Sequence, residues 1–248
     1  LGASDFDGDR DEVVERALQA GVTKLITIGA GYGKQSALKA VELAERYACV
    51  FASVGLHPND ASEKFDHKFL EDLALHPKVV AIGETGLDFY RDYAPREGQE
   101  RWFVYQIELA LRVRKPLVIH SREAAAECLE VLQREGASKV GGVFHCFAED
   151  VEFAAKLASI NFLVSFPGSL TFKKAEASRL AASSIPLSQI MLETDAPFLA
   201  PEPFRGKRCE SSYVPEIARM LAKVRSAAIE EIAQQTSANA RRLFNLAE

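Results

Sequence analysis

Four short apolar runs in this sequence each lead to a residue able to ligate a metal ion. Val79-Val80-Ala81-Ile82-Gly83 stops at Glu84, Pro116-Leu117-Val118-Ile119 at His120, and Gly141-Gly142-Val143-Phe144 at His145. The clearest case is the run from Gln189 to Leu192, which gives way to Glu193, Thr194 and Asp195, with Pro197 close behind. Each run is long enough for a buried strand. Such strands alternating with helices specify a parallel sheet whose C-terminal edges share one face. In a (β/α)8 barrel that face carries the chemistry.

The remaining pattern supports this alternation. An amphipathic helix carrying Val13, Val14, Ala17 and Leu18 stops at Gly21. A strand over 24–29 is followed by a glycine loop (Gly29, Gly31, Gly33) into a helix reaching about Tyr47. A second strand over 50–54 ends at Gly55-Leu56-His57-Pro58. Helices are expected over 66–75, 96–113, 122–134, 151–158 and 173–182, a further strand over 161–166, and two or three closing helices after a Pro-rich loop at 197–208. That makes seven strands, whereas a closed barrel needs eight. The eighth belongs before the first helix, where the chain, opening at Leu1, has no room for it. The expected fold is therefore α/β, a TIM (β/α)8 barrel with its first strand missing from this chain, in one domain over 1–248. An open sheet would instead leave two apolar edges unpaired.

Composition narrows the setting. No apolar run approaches the roughly 20 residues that span a bilayer, and no secretory leader is visible. Cys49, Cys128, Cys146 and Cys209 form no CxxC pair, which argues against a zinc ribbon and fits reduced thiols in a cytoplasm. The formal net charge of -5 provides no global footprint for nucleic acid, so polyanion binding has to be local.

Glu84, His120, His145 and Asp195 form a mixed carboxylate and imidazole set. Such sets suit zinc, manganese or magnesium, and the two imidazoles favour zinc or manganese. A carboxylate bridging two metals would serve hydrolysis of a phosphodiester or a related group. Taken singly, each residue could instead cap a helix or hold a turn. His57 is open to three readings: ligand, substrate contact or structural residue. Arg122 could hold a phosphate or start a helix. Arg205-Gly206-Lys207-Arg208 is either a solvated loop or a phosphate clamp, since guanidinium forks match phosphate oxygens. His67 and His76 read as solvated. The glycine loop lacks GxGxxG spacing, and no acidic ribose partner is visible, which disfavours a dinucleotide site.

Gly83-Glu84-Thr85-Gly86-Leu87-Asp88, Ile119-His120-Ser121-Arg122, Phe144-His145-Cys146-Phe147, Leu192-Glu193-Thr194-Asp195-Ala196-Pro197, Arg205-Gly206-Lys207-Arg208 and Gly55-Leu56-His57-Pro58 occur in order along essentially the whole chain. Together they resemble the TatD family of metal-dependent deoxyribonucleases, in the metallo-dependent hydrolase superfamily. The resemblance implies a TIM barrel and a divalent-metal nuclease, often a 3′-5′ exonuclease on DNA. It implies up to two divalent ions (Mg, Mn or Zn). Glu84 would be the carboxylate they share, His120 and His145 would hold one, and Asp195 would belong to the other and help activate water. Glu84 and Asp195 would thus be the catalytic pair. His57, Arg122, Arg205, Lys207 and Arg208 would face DNA phosphates, and Asp88 would orient a ligand from behind.

Two departures accompany the resemblance. The family usually opens with a strand ending in His-x-His-Leu, and Leu1-Gly2-Ala3-Ser4-Asp5-Phe6 reads like the segment that follows it. Beyond the basic loop, Cys209 stands where Asn is expected and Ser211 where Pro is expected. The expected substrate is DNA, as single strands or ends, for a cytoplasmic protein with no membrane partner and a monomeric state favoured. The alternatives are an amidohydrolase-type enzyme acting on a small amide or ester, and a non-catalytic remnant lacking the N-terminal ligands.

Overall fold

The computed structural model describes residues 1–31, 33–61 and 66–247. Its seven strands are β1 (Leu25–Gly29), β2 (Val50–Val54), β3 (Val79–Asp88), β4 (Leu117–Arg122), β5 (Gly142–Phe144), β6 (Phe162–Phe166) and β7 (Ile190–Leu192). They pair in sequence order, every neighbour parallel. The helices are α1 (Arg10–Gln19), α2 (Gly33–Arg46), α3 (His67–Ala74), α4 (Arg96–Val113), α5 (Ala125–Arg134), α6 (Val151–Ser159), α7 (Glu176–Ser184), α8 (Val214–Arg225) and α9 (Ile229–Phe244).

The sheet curls as a partial barrel. Ile26, Ala81, Val118, Val143, Leu163 and Met191, from six of the seven strands, meet in one interior cluster with Phe244 of α9. The larger core lies on the outer side, between sheet and helices, and includes Val54, Ile82, Phe103, Ile107, Ile119 and Phe166. Among the described residues, β1 and β7 each pair on one side only. The final helix covers part of the β7 side: buried Asn239 donates to the carbonyls of Leu187 (2.8 Å) and Ile190 (2.8 Å).

Side-chain caps open two of the helices. Asp66 accepts the Lys68 N–H at 3.0 Å to open α3, and Asp150 accepts the Phe153 N–H at 2.8 Å to open α6. Several expectations from the sequence need correction. β3 and β4 do not stop at Glu84 and His120; they continue to pair through Gly86↔His120, Leu87↔Ser121 and Asp88↔Arg122. Glu123 then takes a positive φ of 52°, so α5 begins at Ala125 rather than at 122. β7 ends at Leu192, leaving Asp195 in the following loop. Leu18, expected on the buried face of α1, is exposed. His76 is half-buried, accepting the Lys78 N–H and facing Glu45 at 3.1 Å, and His67, though exposed, stacks on Tyr105. Neither histidine is simply solvated.

The close approach of β3 to β4 requires glycine. A Cβ on Gly86, whose φ is +138°, would lie 2.0 Å from the His120 carbonyl oxygen. Gly86→Ala should therefore destabilise the fold by about 2–4 kcal/mol, read as a lowered urea midpoint at constant slope. An unchanged midpoint would show that these strands can separate without cost.

Candidate metal centre

Buried glutamines of α4 set the height of the site residues. Gln106 accepts the Leu56 N–H at 2.8 Å and donates to the Leu56 carbonyl at 3.0 Å and to Thr85 Oγ1 at 2.7 Å. One side chain thereby fixes the residues next to His57 and Glu84. Two helical turns earlier, Gln99 accepts the Asp88 N–H at 2.9 Å and donates to the carbonyls of Asp88 (3.1 Å) and Ala94 (3.0 Å). A Cβ at Gly55 would lie 2.8 Å from Gln106 Oε1, so this neighbour has to be small.

Above these supports, three imidazoles surround Glu84 Oε1. His145 Nε2 lies at 2.6 Å, His120 Nδ1 at 2.8 Å and His57 Nε2 at 3.5 Å. The imidazole nitrogens also face one another, His57 to His120 at 3.3 Å and His120 to His145 at 3.4 Å. All four side chains are half-buried.

The opposite ring nitrogens assign tautomers. His120 Nε2 faces Asp88 Oδ2 at 3.3 Å, and His145 Nδ1 faces Glu193 Oε1 at 3.8 Å. With a proton on the nitrogen facing each outer carboxylate, His120 Nδ1 and His145 Nε2 present lone pairs to the centre. His57 differs. Its Nδ1 accepts the Asn59 N–H at 3.1 Å, so its neutral ring carries the proton on Nε2 and points a donor inward.

The electrostatics fit a cation. Burial opposes charge on His145, but Glu84 outweighs it, with help from Cys146 and Glu193, and the pKa rises well above the ordinary histidine value. Burial likewise opposes charge on His120, but Asp88 and Glu84 raise its pKa. Burial pushes Glu84 up, whereas His145, His120 and His57 together pull it well below the usual carboxylate range. Lone pairs and a carboxylate aimed at one point repel unless protons or a metal ion lie between them. The donor set of two imidazoles and a carboxylate fits a divalent ion.

Asp195 stands beyond β7, outside the close group. Burial, with the charges of Glu84 and Glu193, lifts its carboxyl to about 6 against the pull of His145. Asp88 is held down at about 2: burial opposes this, but His120 and the Arg91 N–H outweigh it. Arg122 is exposed and lays its guanidinium 3.8 Å from the Tyr90 ring centroid. Arg205 and Lys207 are exposed, with Arg205 over the Phe172 ring. Arg208 is committed elsewhere: it forks onto both oxygens of Asp9 at 2.7 and 2.6 Å, tying the loop to α1.

Three supporting residues escaped the sequence reading. Glu193 accepts the Cys146 N–H at 2.6 Å and the Ser165 hydroxyl at 2.7 Å while facing His145. It was hidden beside the more conspicuous Asp195. Gln99 and Gln106 carried a usable signal, two amides seven residues apart on a helix face otherwise formed by Trp102, Phe103, Ile107 and Ala110.

The family model described as TatD related DNase matches residues 1–245. The chain is 40% identical over 248 residues to YabD of Bacillus subtilis, named an uncharacterized metal-dependent hydrolase, with 99% of this chain and 96% of that one covered. It is 33% identical over 254 residues to the protein of Citrobacter koseri named 3'-5' ssDNA/RNA exonuclease TatD, covering 100% of this chain and 97% of that one. The crystal structure of YjjV, a TatD homolog from Escherichia coli, superposes with a TM-score of 0.91 at 29% identity, covering 99% of this chain and 95% of that one. With this sequence and fold, the chain belongs to the TatD family of metal-dependent hydrolases.

Proposed function

We propose that this chain, as one hydrolase domain, cleaves DNA phosphodiester bonds in single strands or at ends, with 3′-5′ exonuclease polarity. The observation that carries this reading is a cation-seeking group, Glu84 with His120 and His145, together with exposed basic residues, Arg122 two residues past His120 and Arg205 and Lys207 in the loop after β7. That combination suits a substrate whose reacting centre is a phosphate diester. The name of the Citrobacter koseri relative agrees with it. The free cysteines and the lack, among the described residues, of a helix long and apolar enough to cross a membrane are compatible with a cytoplasmic setting.

In this reading Glu84, His120 and His145 hold a divalent ion, and Asp195 contributes to a second position. When bound, such ions polarise the phosphoryl group and make water more acidic. The chain's own groups do the rest. Asp88 and Glu193 keep the imidazole protons turned outward, so the inward lone pairs stay available. His57 offers its Nε2 proton to a phosphate oxygen. In the metal-free site burial lifts the Asp195 carboxyl to about 6; beside a bound cation its ionised form, the form able to accept a proton from water, is favoured. Arg122, Arg205 and Lys207 attract the flanking phosphates. Arg208, paired with Asp9, positions the loop.

Glu84→Gln and His145→Ala should each lower kcat/KM on a single-stranded oligonucleotide by about a thousandfold with Mg²⁺ or Mn²⁺ present, while circular dichroism shows the fold retained. Full activity in either variant would refute the assignment.

Metal affinity should depend on pH with a definite sign. The metal-free site holds protons on His120 and His145, whose pKa values are raised, and these protons have to leave when the ion enters. Calorimetric titration with Mn²⁺ should therefore show affinity rising from about pH 6 to about pH 8, with proton release. Glu193→Gln should weaken binding by about 10–100-fold. A pH-independent affinity would contradict this protonation scheme.

A further inference from the structure

The loop after β3 presents two tyrosines to solvent just beyond Asp88, the residue that faces His120: Tyr90 is 57% exposed and Tyr93 60%. Each is accompanied by an arginine. Arg122 packs 3.8 Å from the Tyr90 centroid, and Arg91 donates to the Tyr93 hydroxyl at 2.7 Å. The loop is held firmly. Asp88 Oδ1 accepts the N–H groups of Tyr90 (3.1 Å) and Arg91 (3.0 Å), and Gln99 clamps the carbonyls of Asp88 and Ala94. The Phe89 N–H donates to the Arg122 carbonyl at 2.9 Å.

This construction fixes Tyr90 relative to the site. Arg122 lies two residues beyond His120 on β4. Residues two apart on a strand share a face and are separated by about 6–7 Å. Asp88 joins the two levels, turning one oxygen to His120 and the other to the tyrosine loop. A large, exposed aromatic ring backed by a cation is thus tied, through Asp88 and Arg122, to the strand end that carries His120.

We infer that Tyr90, braced by Arg122, is a stacking platform for an unpaired nucleobase of the DNA strand, and that it gives the site its preference for single strands. The inference deepens the nuclease reading and rests on it. An aromatic ring accepts any base face, so the platform tolerates sequence. Bases inside a duplex have their faces covered by neighbouring pairs and have to leave the stack to reach such a ring. The nearby positive charge of Arg122 suits a strand whose phosphates flank the bound base.

The test compares a thymidine oligomer with an abasic oligomer of the same length, together with a small phosphodiester bearing no base. The wild-type protein should cleave the thymidine oligomer with kcat/KM about tenfold to a hundredfold higher than the abasic one. Tyr90→Ala should erase that difference, mainly through KM, and Tyr90→Trp should preserve it, while both variants keep the wild-type melting temperature. Equal losses on the two oligomers in Tyr90→Ala, or failure of Tyr90→Trp to preserve the discrimination, would overturn the platform alone. Hydrolysis of the small diester without cleavage of either oligomer by the wild-type protein would overturn the nuclease reading, and the platform with it.

Discussion

The arrangement of this molecule depends on three donor side chains that the fold converges on one small volume. Two imidazole lone pairs and the Glu84 carboxylate point at one small volume, with His145 and His120 nitrogens 2.6 and 2.8 Å from the same oxygen. In the metal-free site, protons on His120 and His145 lie between these groups and hold them to Glu84. They are kept in place from behind: Asp88 faces His120, Glu193 faces His145, and Glu193 is in turn fixed by Ser165 and the Cys146 N–H. A site whose converging donors need protons between them in the absence of a metal ion is prepared for one, because the cost of assembling them has already been met by folding.

The parallel sheet makes this possible by delivering side chains from separate strands to one end. Its precision comes from the layer behind it. Gln106 holds both the backbone before His57 and the Thr85 hydroxyl beside Glu84, while Gln99 holds Asp88 and the loop that follows. These amides sit in an apolar interface, where each hydrogen bond is costly to lose. The basic loop after β7 is secured differently, by the Arg208–Asp9 fork and by Arg16 bridging Asp9 and Glu210. One arginine of that loop therefore works as an anchor, leaving Arg205 and Lys207 exposed.

Much of this was legible in the sequence. Apolar runs placed all seven strands, because a buried parallel strand has to be apolar on both faces, and α4 matched its expected bounds from 96 to 113. Glu84, His120 and His145 stood out because ligand-type residues recur at the ends of successive runs, although each taken singly could cap a helix or hold a turn. What the runs could not show was pairing beyond them. β3 and β4 continue through polar residues to Asp88 and Arg122, since ladder hydrogen bonds depend on the neighbouring strand rather than on side-chain polarity. Roles set by distant partners were equally hidden. Arg208 meets Asp9 across 199 residues of chain, and Glu193 meets Ser165 across 28. No local pattern encodes either contact.

The central claim is that Glu84, His120 and His145 together hold a divalent ion. Crystals grown with Mn²⁺ and measured at the manganese absorption edge address it most directly. The account predicts an anomalous peak about 2.0–2.3 Å from Glu84 Oε1, His120 Nδ1 and His145 Nε2. Anomalous density confined to surface carboxylates, with these three side chains still hydrogen-bonded to one another, would contradict it.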